Sequence, residues 1–428
     1  MSKAISYRGL LRTGGMVSII RALGAIAAMA ALVVATRSLG PTAYGQYAYL
    51  LICLEFAAIL ALFGADTLVM RELASFRSGV RSTQHQGVLR FGVWRAIRNL
   101  VLIAPIVFLG IFLLSEYSRF GGVKSVAVAT VGVLSTLTFL NLSVAALRGL
   151  GASVLSALGA NLLRPTGIFL GIAMVWLAHG EGVALWWALA INFISTAGVA
   201  VYQWRTIGGL VSWPGRIDSR QKISRDYSPH ANSFGVLAVV RHFTSFAEVS
   251  LVAGLLSMEL AGAFVVAKRL SGTLGFALSS LNYEVVPLLA TNASAEGALE
   301  TRAIVRKARL LATLIIVPAA ILIVVIGKPL LALFGDEYKV AFGGFIALCV
   351  GEAVNASFGP IGAFHVMRGR QNLVTAITGL GALVAILMNL VLVPRYGIFG
   401  AGLASTISIG TINILFYARY RRESFWRN

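Results

Sequence analysis

Apolar runs long enough to cross a bilayer dominate this chain, and they recur. About 20 predominantly apolar residues span the hydrocarbon core. Twelve such runs are present, at residues 15–37, 44–66, 96–115, 123–147, 153–178, 183–204, 231–256, 260–288, 308–327, 340–365, 372–393 and 398–418. A backbone in hydrocarbon must satisfy its own hydrogen bonds, which leaves helices or closed barrels. The chain lacks the ~10-residue alternation of barrel strands. The pattern therefore predicts an all-α polytopic membrane protein with twelve transmembrane helices. Composition agrees: 428 residues, 58% hydrophobic and 12% charged, leave too little charge for a soluble surface. Lys3, Arg8 and Arg12 ahead of the run from Met16 to Val34 imitate a signal peptide. That run is long enough to span, so it reads as a retained first helix.

The formal net charge is +20. In a soluble domain this would point to nucleic acid. Here the basic residues fall between apolar runs, so their expected partners are anionic membrane lipids, with no nucleic acid. One alternating set of loops and termini carries 25 Lys and Arg, from Lys3 through Arg77, Arg148 and Arg220 to Arg427. The opposite set carries six: Arg37, Arg119, Lys124, Lys328, Lys339 and Arg395. The positive-inside rule then puts both termini in the cytoplasm, in a cell (inner or plasma) membrane.

Motifs for cofactors and metals are missing. Cys53 and Cys349 both lie inside apolar runs, the five histidines lack zinc-ligand spacing, and there is no Gly-rich phosphate loop with a lysine. No cofactor is expected. No external loop is long, which weighs against a membrane glycosyl-transfer or polymerising enzyme.

The longest connection, residues 205–230, is basic and turn-rich. It divides the chain into a six-helix bundle at 1–204 and another at 231–428. The halves match weakly. A shift of 217 pairs Leu39 with Leu256 and Gly45 with Gly262, and a shift of 220 pairs Arg148 with Arg368, Gly149 with Gly369 and Gly159 with Gly379. Six spans per half give a parallel repeat about the membrane normal, with the site expected between the halves.

"RSLGPTAYGQYAYLL" (37–51) and "LFGADTLVMRELA" (62–74) resemble the polysaccharide exporters of the multidrug/oligosaccharidyl-lipid/polysaccharide (MOP) superfamily. The resemblance covers nearly the whole chain; the second half supports the superfamily only. It implies two bundles around a central cavity lined mainly by the first, second, seventh and eighth helices. It also implies a flippase that moves a polyprenyl-diphosphate-linked oligosaccharide, a polysaccharide repeat unit such as that of O-antigen or exopolysaccharide, to the outer leaflet. Other polysaccharide assembly proteins would be its partners. Relatives in the superfamily instead export cationic drugs by ion antiport. The motif residues Gly40, Pro41, Tyr44 and Gly45 read as structural: Gly40-Pro41 ends a helix, and Tyr44, Tyr47 and Tyr49 suit a headgroup belt.

Charges inside the spans point to the site. Arg241, Thr244, Ser245 and Glu248 recur at i, i+3, i+4 and i+7 and form one polar stripe. Lys268, Ser271, Gly275, Ser279 and Asn282 form another, with Arg269 beside it. Arg21 lies on the first span. Such residues face a bundle interior or a wet cavity by default. Arg241, Lys268, Arg269 and Arg21 are candidates to bind the diphosphate, which arginine grips with paired hydrogen bonds. The competing readings are an ion pair between Arg241 and Glu248, and snorkelling for Lys268, Arg269 and Arg21. Glu55, Glu248 and Glu352 are candidates for coupling to an ion, since no hydrolysis motif supplies energy. An antiporter of drugs or cations predicts more acids than bases in the site. Gly167 and Gly171 form a GxxxG pair suited to helix packing. Arg164 precedes Pro165 and suits a kink or a neighbour contact. Segment 88–98, "VLRFGVWRAIR", suits an interfacial turn.

Overall fold

The computed structural model describes residues 7–75, 82–117, 123–180, 182–211, 220–291 and 298–425. Every regular element among them is helical. The first compact unit covers 1–239 and the second 240–428. In order, the helices are α1 (Tyr7–Leu62), α2 (Ala65–Ser75), α3 (Ser82–Tyr117), α4 (Val123–Gly149), α5 (Ser153–Ala157), α6 (Arg164–His179) and α7 (Leu185–Leu210). There follow α8 (Arg220–Leu255), α9 (Met258–Thr291), α10 (Ala298–Val325), α11 (Gly327–Ala332), α12 (Phe342–Phe358), α13 (Ile361–Met367) and α14 (Gln371–Phe425). Of the expected linker, 205–210 finish α7, 220–230 open α8, and 212–219 lie outside the described residues.

Nine helices among the described residues are long and apolar enough to cross a membrane. Two of them, Gly14–Leu62 and Gln371–Arg422, have 49 and 52 residues, about twice the ~20 a span needs. Each breaks at a glycine with positive φ, Gly40 (φ 76°) and Gly397 (φ 58°). Counting each as two crossings and adding α9 gives twelve spans.

The break in α1 follows from its residues. Pro41 disfavours helical backbone at its predecessor, and Gly40 adopts the positive φ without steric cost. The carbonyl of Ser38, left over at the end of the first arm, accepts from the backbone N–H groups of Gly182 and Val183 at 3.0 and 2.9 Å. Two of the three tyrosines beyond the break leave the expected belt, while Tyr49 stays half-buried. Tyr44 and Tyr47 are buried, and the Tyr47 hydroxyl accepts from Asn192 Nδ2 at 3.0 Å. Thr196 donates to Asn192 Oδ1, and Arg164 Nε donates to Thr196 Oγ1, each at 3.2 Å. A buried hydroxyl needs a partner, and α7 supplies one. Arg164 thereby serves the neighbour contact that its place before Pro165 suggested. A π turn at Leu158–Leu163 precedes it.

Leu62, Val69, Leu73, Leu89, Leu142 and Ile207 are buried in one core cluster of the first unit. Segment 88–98 is not a turn. It is continuous α3, from which Arg95 turns inward, 4% exposed. Its guanidinium lies 5.6 Å from the Phe63 ring and 5.8 Å from that of Phe91 and donates to Asn232 Oδ1 at 2.5 Å. The GxxxG pair packs α6 on α7, with Gly167 against Ser195 and Gly171 against Ile191. The second unit uses small residues in the same way. Gly344 meets Ile398 and Gly402, Gly381 meets Ile412, and Gly351 meets Thr406. Thr406 also donates to the Ala347 carbonyl at 2.6 Å. Close helix approach of this kind supplies packing where lipid removes the hydrophobic drive between helices.

Topology gives the first prediction. Reporters fused after Arg77, Ser219 and Arg422 are expected on the cytoplasmic side, and those after Arg119, His179 and Lys339 on the other. Arg77, Arg119 and Ser219 lie outside the described residues. An external signal at Ser219 would mean an odd number of crossings before it and would break the six-plus-six division.

Candidate functional site

Three of the charged residues singled out in the sequence lie near one another in the second unit. Glu248 on α8 is 3% exposed. Its Oε2 lies 2.5 Å from Nζ of Lys268 on α9. Lys268 also donates to Ser245 Oγ at 3.1 Å and stands 6.0 Å from the Phe264 ring one turn earlier. The lysine side chain stays 30% exposed. Across α9, Gly275 leaves room for the carboxylate of Glu352 on α12: a Cβ there would sit 3.3 Å from Glu352 Oε2. Asn355, one turn on, hydrogen-bonds that carboxylate, and Lys268 lies within its electrostatic reach. Asn355 Oδ1 in turn accepts from Asn413 on α14 at 3.0 Å. Lys268 is thus paired with Glu248 and lies near a second acid, from which a polar chain runs on to the last span.

This overturns the pairing of Arg241 with Glu248. Seven residues of helix separate them by about 10 Å of axial rise, whereas α9 brings Lys268 directly onto Glu248. Arg241 is exposed and makes no ion pair or hydrogen bond to the described residues. Arg269 is exposed on α9. Arg21 and Glu55 are half-buried on the first and second arms of α1, in the first unit. Of the α9 stripe, Ser271 is buried and donates to the Lys268 carbonyl at 3.2 Å. The side chains of Ser279 and Asn282 lie outside the described set.

Two residues of consequence went unread in the sequence. Arg309 counts as a loop cation by charge alternation, yet its Nε donates to the Ser357 carbonyl at 3.0 Å and its guanidinium lies 5.1 Å from the Tyr417 ring. The last carbonyls of α12 need donors because Gly359-Pro360 stops the helix, and the side chain of Arg309 passes over Gly359, where no Cβ intervenes. The Gly-Pro pair was the available signal. Asn413 stands in an apolar run with nothing to mark its partner.

The structure is similar to solved transporters. A multidrug resistance MATE family transporter of the MOP superfamily, in an inward-facing conformation, matches with a TM-score of 0.80 at 13% identity, covering 95% of this chain and 98% of that one. The fold is that of the MOP superfamily transporters. The lipid II flippase MurJ matches at 0.71 and 13% identity, covering 95% of this chain and 87% of MurJ. A MOP superfamily transporter from Pyrococcus furiosus, described as having a binding pocket of reverse polarity that suggests a different function, matches at 0.63 and 14% identity, covering 96% and 95%. No protein-family model and no curated protein matches the sequence. These neighbours are transporters and flippases rather than enzymes, and the chain is a multi-pass membrane protein.

Proposed function

We propose that this protein is a flippase that moves a polyprenyl-diphosphate-linked oligosaccharide from the cytoplasmic to the outer leaflet by alternating access. The MOP fold serves both drug transporters and a lipid flippase, so the fold leaves the substrate open; the cluster of Glu248, Glu352 and Lys268 is assigned to coupling, and the substrate reading rests on Arg241. Arg241 carries the reading. It is an arginine inside an apolar helix, exposed, with no acid bound to it among the described residues. Holding a cation at that depth costs a few kcal/mol on insertion scales, and a diphosphate would offset the cost with paired, charge-assisted hydrogen bonds. Sugars and phosphates cannot cross hydrocarbon unaided, because their polar groups would go unpaired. The direct test is reconstitution into vesicles with a defined polyprenyl-diphosphate oligosaccharide, followed leaflet by leaflet. Protein-dependent movement of this lipid supports the reading. Export of organic cations with no lipid movement would overturn it in favour of a drug antiporter.

Coupling to an ion belongs to the acids. Glu248 is paired with Lys268 and Glu352 lies nearby, and an ion or proton taken up by either carboxylate would alter the cluster's charge. Glu352→Gln or Glu55→Gln is expected to change the pH or Na⁺ dependence of flipping while the protein stays folded. Unchanged ion dependence in both variants would make these acids structural.

A further inference from the structure

We propose that the first unit carries a binding site for an anionic phospholipid, one acyl chain lying in a groove between α3, α4 and α7 and the phosphate meeting Arg205. The groove holds about 650 Å³, within the ~300–1,000 Å³ typical of ligand sites. Its walls include Val93, Thr136, Phe139 and Trp204. The polar groups along it are already engaged. Ser135 donates to the Val131 carbonyl at 2.9 Å, and Thr136 to that of Gly132 at 3.0 Å. The Trp204 indole N–H donates to the Phe139 carbonyl at 3.1 Å, which pins the aromatic wall in place. An occupant therefore meets no free hydrogen-bonding group inside and must be hydrocarbon there.

The one charge in the lining is Arg205, near the end of α7. It is exposed and makes no ion pair or hydrogen bond to the described residues. From Ala197 to Gly208 the groove follows α7 for about 17 Å at 1.5 Å per residue. That is close to half of the ~30 Å hydrocarbon thickness, the depth of one leaflet. A single chain of one leaflet, headed by a phosphate, fits both the length and the charge. A zwitterionic lipid offers the same phosphate but carries a cation beside it, which weakens the net attraction to the arginine, and a free phosphate would leave the groove unfilled. The site rests on the membrane reading of the fold and is independent of the flipped substrate.

The test uses the full chain in phosphatidylcholine vesicles containing a minor fraction of phosphatidylglycerol with a photoactivatable acyl chain. Labelled peptides are mapped by mass spectrometry. Label is expected on segments 135–139 and 197–208, several-fold above that left by a phosphatidylcholine photoprobe. Arg205→Gln should reduce the phosphatidylglycerol label to the phosphatidylcholine level, and Arg205→Lys should keep most of it. Ala197→Phe, which fills the groove, should remove label from both probes there. Equal labelling by the two headgroups, label elsewhere only, or an unchanged signal in Arg205→Gln would overturn the proposal. Because Arg205 is exposed, its loss leaves folding intact, and the headgroup comparison in the unaltered protein decides even if Ala197→Phe fails to insert.

Discussion

Arg241→Ala is expected to lower flipping of the diphosphate-linked lipid by about tenfold to a hundredfold, with no loss of membrane-inserted protein. A hydrogen bond to a charged group contributes about 1.5–3 kcal/mol, and each ~1.4 kcal/mol is a factor of ten. Truncation strands no partner, since Arg241 holds none among the described residues. Removing a cation from an apolar helix should leave insertion unchanged or easier. Arg241→Lys should fall between: the charge remains, but an ammonium lacks the planar fork that grips two phosphate oxygens at once. Leaflet-resolved transport by reconstituted protein, normalised to inserted protein, measures all three. Wild-type transport by Arg241→Ala would remove the diphosphate role. A deficit that tracks lost protein would make Arg241 a folding residue instead.

The number and type of elements were legible because hydrocarbon imposes them. Length and hydropathy fix where a helix must cross, and Gly40-Pro41 marks a break on backbone grounds alone. Which particular partner a side chain meets was not legible where that partner lies on another helix. The stripe of Ser245 and Glu248 was visible at helical spacing, but periodicity along α8 cannot reveal that α9 delivers Lys268, 20 residues further on, to the same carboxylate. The competing reading of Arg241 as the partner of Glu248 arose because it is the nearest cation in sequence on that face. Charge alternation likewise says nothing of what Arg95 and Arg309 touch. It counts a cation by its position between apolar runs, and both arginines fold back onto aromatic rings and polar neighbours. The tyrosines of the first motif failed similarly, since an aromatic residue near a span end suits a lipid boundary and a packed helix crossing equally well.

Lys268→Ala is expected to be the most destabilising single change in the candidate site. It leaves Glu248, 3% exposed, without its counter-ion, and breaking a buried ion pair from one side costs about 3–5 kcal/mol. The lysine's own partial exposure favours the lower end. Glu248→Ala should cost less, because the freed ammonium sits on a side chain that is 30% exposed and reaches solvent. The double change Lys268→Ala with Glu248→Ala should be more stable than Lys268→Ala alone, since it removes the stranded charge with its cause. Denaturation of the purified variants in detergent gives the cycle. Additive losses in the double variant would show that the two groups do not depend on each other, against the 2.5 Å contact. Transport by the same variants separates structure from function. A double variant that is stable and flips lipid leaves the pair a structural clamp between α8 and α9. A stable double variant with altered ion dependence assigns coupling to this pair.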